Sequence, residues 1–149
     1  MKRTPAFLLL VLSFTCAVGG EVAIGGLSPS GKADGKAVQF NVTDAVVKAT
    51  PVWTRDAPCP PLAPHRAIEI ATKQLHELVK EPAKWYFHEI SLVDFGDHIH
   101  WVYIAFFYRE YPEPVTVIGM DSLQIPVLMS GATLKPKLID IEPDKIERN

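Results

Sequence analysis

The sequence predicts an α+β fold, with one helix packed on a curved antiparallel sheet of three to five strands. Three observations predict it. Ile68, Ala71, Leu75, Leu78 and Val79 recur at spacings of three and four, which gives a helix one apolar stripe. Beyond Pro82 the chain becomes aromatic and β-branched, and Ile99 to Tyr108 (IHWVYIAFFY) is its most strongly strand-forming stretch. Gly96-Asp97 and Ser130-Gly131 supply turns short enough to join antiparallel neighbours. A run of strands with a segregated helix is the α+β arrangement. The 149 residues, 48% hydrophobic and 21% charged, hold enough apolar material for one core. They exclude a collagen-like repeat, a long polyelectrolyte and a multidomain enzyme.

Taken in order, the chain begins with Lys2 and Arg3 before an apolar run from Ala6 to Val18, interrupted only by Ser13 and Thr15. This is the pattern of an export signal. Ala17-Val18-Gly19 places small residues before a cut after Gly19, so residues 1–19 are expected to be a signal peptide and the mature chain secreted or periplasmic. The run is about 13 residues where a membrane span needs roughly 20, and no transmembrane span is expected after signal removal. A lipid anchor on Cys16 is the lesser alternative, because Ser13-Phe14-Thr15 fits a lipoprotein box poorly. Loss of Lys2 and Arg3 with the signal takes the net charge from −2 to −4. With no basic cluster to displace counterions, nucleic acid is not an expected partner.

Residues 20–61 read as a flexible leader with short strands and a proline-rich connector. Six of nine glycines lie between Gly19 and Gly35, and the stretch to Lys36 has no sustained period. Alternation at Val38, Phe40 and Val42, then Val46, Val47, Val52 and Trp53, points to one or two short strands between Ala37 and Trp53. Asn41-Val42-Thr43 is a glycosylation sequon that matters only in a eukaryotic secretory pathway. Pro58, Pro60, Pro61 and Pro64 stiffen the connector by removing donors and biasing their predecessors to extended backbone.

The main domain is expected over 62–142, followed by a charged tail, 143–149. Its helix runs from Pro64 to about Lys80 and stops at Glu81-Pro82. Trp85 to Phe95 and Ile99 to Tyr108 form a hairpin about Gly96. On the second strand Val102, Ile104, Phe106 and Tyr108 point one way and Trp101, Tyr103, Ala105 and Phe107 the other, so both faces are apolar. The helix covers one face; the other must meet the N-terminal strands, a partner chain or a ligand. Val115 to Met120 is a short edge strand or loop, and Leu123 to Met129 pairs with Ala132 to Ile141 about Ser130-Gly131.

No constellation fixes a reaction, so neither catalytic residues nor a cofactor is assigned. His98 and His100 share a strand face near Asp94 and Asp97, but a fourth ligand and a zinc spacing signature are missing and no metal site is assigned. His88 is too far along its strand to join them. His65 and His76 lie about 16 Å apart along the helix axis, too far to share an ion. Cys59, alone once Cys16 leaves, cannot form an internal disulfide; an interchain disulfide is the alternative to an unreactive connector thiol. The aromatic density on the two long strands offers a binding surface at Trp101, Tyr103, Phe107 and Trp85, against the plainer reading that they are core.

One helix followed by an antiparallel meander, behind an export signal, resembles the cystatin-like architecture and the small PepSY-like domains of exported bacterial proteins. The carriers are Arg66-Ala67-Ile68-Glu69-Ile70-Ala71, Trp101-Val102-Tyr103-Ile104-Ala105-Phe106 and Ile125-Pro126-Val127-Leu128-Met129-Ser130-Gly131. The inhibitory cystatins present a Gln-x-Val-x-Gly loop. Here Gln124-Ile125-Pro126-Val127-Leu128 lacks the glycine, so cystatin inhibition is not carried over. For PepSY-like domains the resemblance implies peptidase inhibition or extracytoplasmic regulation. The expectation is an exported, non-catalytic binding or regulatory module that contacts a protein or peptide, with a homodimer as one form of contact. A small secreted enzyme with a helix–sheet pocket and a structural subunit of an extracytoplasmic assembly are the alternatives.

Overall fold

The computed structural model describes residues 27–111 and 120–141. The segment expected to be a signal peptide, Cys16, the first residues of the expected leader, most of the Val115 to Met120 stretch and the charged tail lie outside the described residues. Six strands and two α-helices follow in the order β1 (Ser30–Ala33), β2 (Lys36–Gln39), α1 (Asp44–Lys48), α2 (Pro64–Leu78), β3 (Trp85–Asp94), β4 (Trp101–Arg109), β5 (Ser122–Leu128) and β6 (Lys137–Asp140), with a 3-10 turn at Pro82–Lys84. The fold is α+β with one main helix on an open sheet ordered β3-β4-β5-β1-β2-β6, every pairing antiparallel.

Six strands exceed the expected three to five because the leader enters the sheet. β1 and β2 stand between β5 and β6, so the sheet begins before the stretch assigned to the main domain. These strands are short and carry small or polar residues, which leaves little alternation to read. Their signal is the dipeptide Asp34-Gly35, at φ 50° and 77°, the left-handed pair of a two-residue hairpin. Gly31 lets β1 approach β5: a Cβ there would lie 2.0 Å from the Ser122 backbone oxygen.

α2 starts where its sequence says, with Pro64 in the first turn, where a missing N–H costs nothing. Its buried stripe is Ala67, Ala71, Gln74 and Leu75, while Ile68 is only half-buried. Alanines let the helix lie close to the sheet; the Gln74 amide donates to the Leu134 carbonyl at 2.6 Å and ties α2 to the segment before β6. α1, read as strand, is one short helix capped by Thr43, whose Oγ1 accepts from the Val46 N–H at 3.4 Å, with Asp44 pairing Lys48 at 2.9 Å.

The sheet buries both faces of β4. Trp101, Tyr103, Ala105 and Phe107 meet α2 in the larger core with Leu123, Ile125 and Val127. Val102 and Ile104 meet Val42 and Val47 in a smaller core on the opposite face. The chain itself therefore covers the second face at that end, while Phe106 and Tyr108 stay half-buried. The Ser130-Gly131 turn forms, but only Val127 and Thr133 bridge across it; beyond Pro136 the chain joins β2 as β6, not β5.

Candidate functional site

The four aromatics expected to form a binding surface are core. Trp85 is 8% exposed, Trp101 4%, Tyr103 2% and Phe107 1%, so none presents its ring to a partner. Their polar ends confirm it for two of them: the Trp101 indole donates to the Trp53 carbonyl and the Tyr103 hydroxyl to the Leu62 carbonyl, each at 2.9 Å. Burial pushes the Tyr103 phenol up in pKa. A domain this small needs its large side chains inside, and that requirement wins over display.

The aromatics that do reach the surface are Tyr86, 46% exposed, and Phe87, 37% exposed, neighbours on β3 that face opposite sides of the sheet. Tyr86 lies 6.1 Å from Tyr108 between ring centroids, and Phe87 lies 5.8 Å from Phe107. Exposed His88 stands edge-on to Tyr108 at 5.1 Å, at a bulge between Phe87 and Glu89. Period-two reading placed aromatics on this strand; only the pairing shows which ones its edge position leaves open.

β3 is a sheet edge: among the described residues it pairs with β4 alone. Its hydrogen-bonding direction can be followed residue by residue. Phe95 N–H donates to the His100 carbonyl at 2.9 Å, so Phe95 faces β4. Alternation then turns Val93, Ser91 and Glu89 toward β4, and the main-chain groups of Asp94, Leu92 and Ile90 outward. At the other end the Glu110 N–H donates to the Lys84 carbonyl at 2.7 Å, so there the even-numbered residues face β4, and the bulge between Phe87 and Glu89 changes the phase to the odd-numbered ones. Glu89 to Asp94 is thus a straight, unbulged run with three residues whose N–H and C=O point away from the sheet.

The opposite edge differs. β6 has four residues, follows Pro136 and carries Lys137 and Asp140, the short and charged form in which proteins blunt an edge. Leu138 and Ile139 are exposed on it, 51% and 39%.

Both ends of the β3–β4 hairpin are fastened. At the turn, Asp94 accepts from the Gly96 and His98 N–H groups at 2.9 and 3.0 Å and pairs with the His98 ring. Burial pushes its carboxyl up, but these contacts outweigh it and hold the carboxyl below the usual range. Asp97 contacts His100 Nδ1 at 2.5 Å and accepts from the His100 and Ile99 N–H groups, and these bonds, the imidazole first, lower its pKa to about 2. His98 and His100 thus serve the turn separately, each with its own aspartate. Among the described residues no group of three or more His, Cys, Asp or Glu side chains is placed to hold a metal ion. A cavity of about 110 Å³ separates this turn from Asp44 and Lys48 of α1.

At the open end, Arg109 reaches Glu81 at 2.8 Å, Asp121 at 3.4 Å and Asp34 at 3.6 Å. Its guanidinium also lies 5.6 Å from the Tyr111 ring centre. Lys84, first, and Arg109 hold the Glu81 carboxyl below its usual range. The Asp34 carboxylate accepts from the Lys80 N–H at 2.8 Å. Sequence reasoning missed this cluster, whose four residues lie far apart in the chain.

Cys59 is an exposed free thiol in the connector, and His65 and His76 are exposed on α2. Asn41 is exposed, and Thr43 of its sequon is the cap of α1. No described helix is long and apolar enough to cross a membrane. No protein-family model, no curated protein and no solved structure matches this chain.

Proposed function

We propose that this chain is an exported, non-catalytic binding module that takes an extended protein or peptide segment along the β3 edge. The observation that carries the reading is the contrast between the two edges. β6 is short and charged, whereas Glu89 to Asp94 of β3 offers the outward main-chain groups of Ile90, Leu92 and Asp94 with no proline, lysine or bulge among them. Strand addition takes its affinity from main-chain bonds and its selectivity from alternate side chains. Export is supported by the residue pattern of 1–19. The cystatin-like or PepSY-like resemblance is supported by the order α2-β3-β4-β5, to which the β1–β2 hairpin is an addition.

Hydrogen exchange tests the edge directly. In the free protein the amides of Glu89, Ser91 and Val93 are expected to be protected by β4, and those of Ile90, Leu92 and Asp94 to exchange fast. An added strand slows the second set by roughly tenfold or more while leaving the first set in place. Outward amides whose exchange is unchanged across a library of extended peptides would overturn the reading.

A further inference from the structure

Resting on the β3-edge reading, we infer that the segment β3 takes is an antiparallel strand of alternating chemistry, with apolar side chains facing Ile90 and Leu92 and a lysine or arginine facing Glu89. Ile90 and Leu92 are half-buried at the rim of the larger core, on the α2 side of the sheet. Because their main-chain groups point outward, an antiparallel strand exchanges two hydrogen bonds with each of them, and its side chains at those places continue the same apolar rim. Polar side chains there would cover apolar surface with groups that find no partner.

Glu89 stands on the opposite face, in the closely spaced kind of pair where Cα atoms approach to about 4.5 Å and side chains interact most. It is exposed and makes no ion pair among the described residues. Asp94, the other carboxylate of the strand, is turned into the hairpin by Gly96 and His98. β3 carries no lysine or arginine of its own, so the charge an incoming strand meets is negative, and β3 of a second copy does not supply the complement. The chemistry therefore favours a foreign basic, alternating segment over self-pairing.

The test uses three short synthetic peptides and the full folded chain. The first has valines facing Ile90 and Leu92 and lysine facing Glu89; the second replaces that lysine with glutamate; the third keeps the lysine and replaces the valines with serine. The first is expected to bind roughly two- to fivefold more tightly than either of the others, the order that a cross-strand pair supplies. Glu89→Lys is expected to reverse the order of the first two peptides, a swap that a folding defect does not produce. Equal affinities for all three, with the outward β3 amides still protected, would overturn the alternating pattern and leave the edge reading standing. No protection by any peptide would overturn both. A chain whose size rises with concentration and whose outward amides become protected without peptide would overturn the foreign-segment assignment in favour of a second copy.

Discussion

At Gly31 a single hydrogen in place of a methyl group decides whether β1 can enter the sheet. The position needs no left-handed backbone; it needs space, because Ser122 O would lie 2.0 Å from a Cβ. Gly31→Ala is expected to lower unfolding stability by about 1–3 kcal/mol, the usual cost of overpacking, measured by urea denaturation. Gly35→Ala makes the contrast. Gly35 has φ 77° and nothing within 4 Å of a built Cβ, so its cost is the left-handed backbone alone, about 1–2 kcal/mol. An undiminished β1–β5 pairing in Gly31→Ala, read from the exchange of Leu123 and its neighbours, would refute the close-approach account.

Among the elements, the β3–β4 hairpin shows how two aspartates fasten a polar turn through backbone N–H groups and imidazoles. The His100 imidazole, first, and the His100 and Ile99 N–H groups lower the Asp97 carboxyl from an ordinary 3.8 to about 2, so the folded chain favours its ionised form. Its contribution is complete above about pH 4 and is lost as pH falls toward and through about 2. Thermal midpoints of the natural chain and of Asp97→Asn are expected to differ at pH 5 and to converge on acidification to pH 2. A gap that stays constant over that window would show that the His100 and backbone contacts do not favour the ionised form. β5 carries a proline without loss of pairing, for a reason of direction. Leu128 N–H donates to the Ala132 carbonyl at 3.0 Å, away from β4, and alternation points the Pro126 nitrogen the same way. Among the described residues β1 pairs with β5 only at Ser122 and Leu123, so the absent donor removes no ladder bond.

Across the molecule, Arg109 joins parts of the chain that packing alone leaves separate: the β1–β2 turn through Asp34, the α2–β3 connection through Glu81, and the start of β5 through Asp121. Asp121 is 5% exposed, so removing its guanidinium partner leaves a desolvated carboxylate. Arg109→Met is expected to cost about 1.5–3 kcal/mol, and Arg109→Lys less than that because one ammonium keeps the charge but cannot fork to three carboxylates. Equal midpoints for the natural chain and Arg109→Met in urea would show the cluster to be a surface network of no consequence. The same end of the molecule holds the start of β3, through the Glu110 to Lys84 main-chain bond.

The amino-acid sequence by itself determined the main helix, the two long strands and the apolarity of both faces of β4, because period and residue type report local geometry and the need for cover; that Val42 and Val47 cover the second face came from the tertiary structure. It also carried an unread sign of the first hairpin in Asp34-Gly35. Only the tertiary structure decided which aromatics are core, since Trp101 and Tyr86 look alike in a period-two pattern and each pairs with one strand, but the connector lays Trp53 against Trp101 at 5.4 Å between ring centroids while Tyr86 stays 46% exposed. It alone decided that the leader strands stand inside the sheet, that Arg109 gathers three distant carboxylates, and that β3 is an edge. These are properties of pairing between residues far apart in the chain, and no local period encodes them.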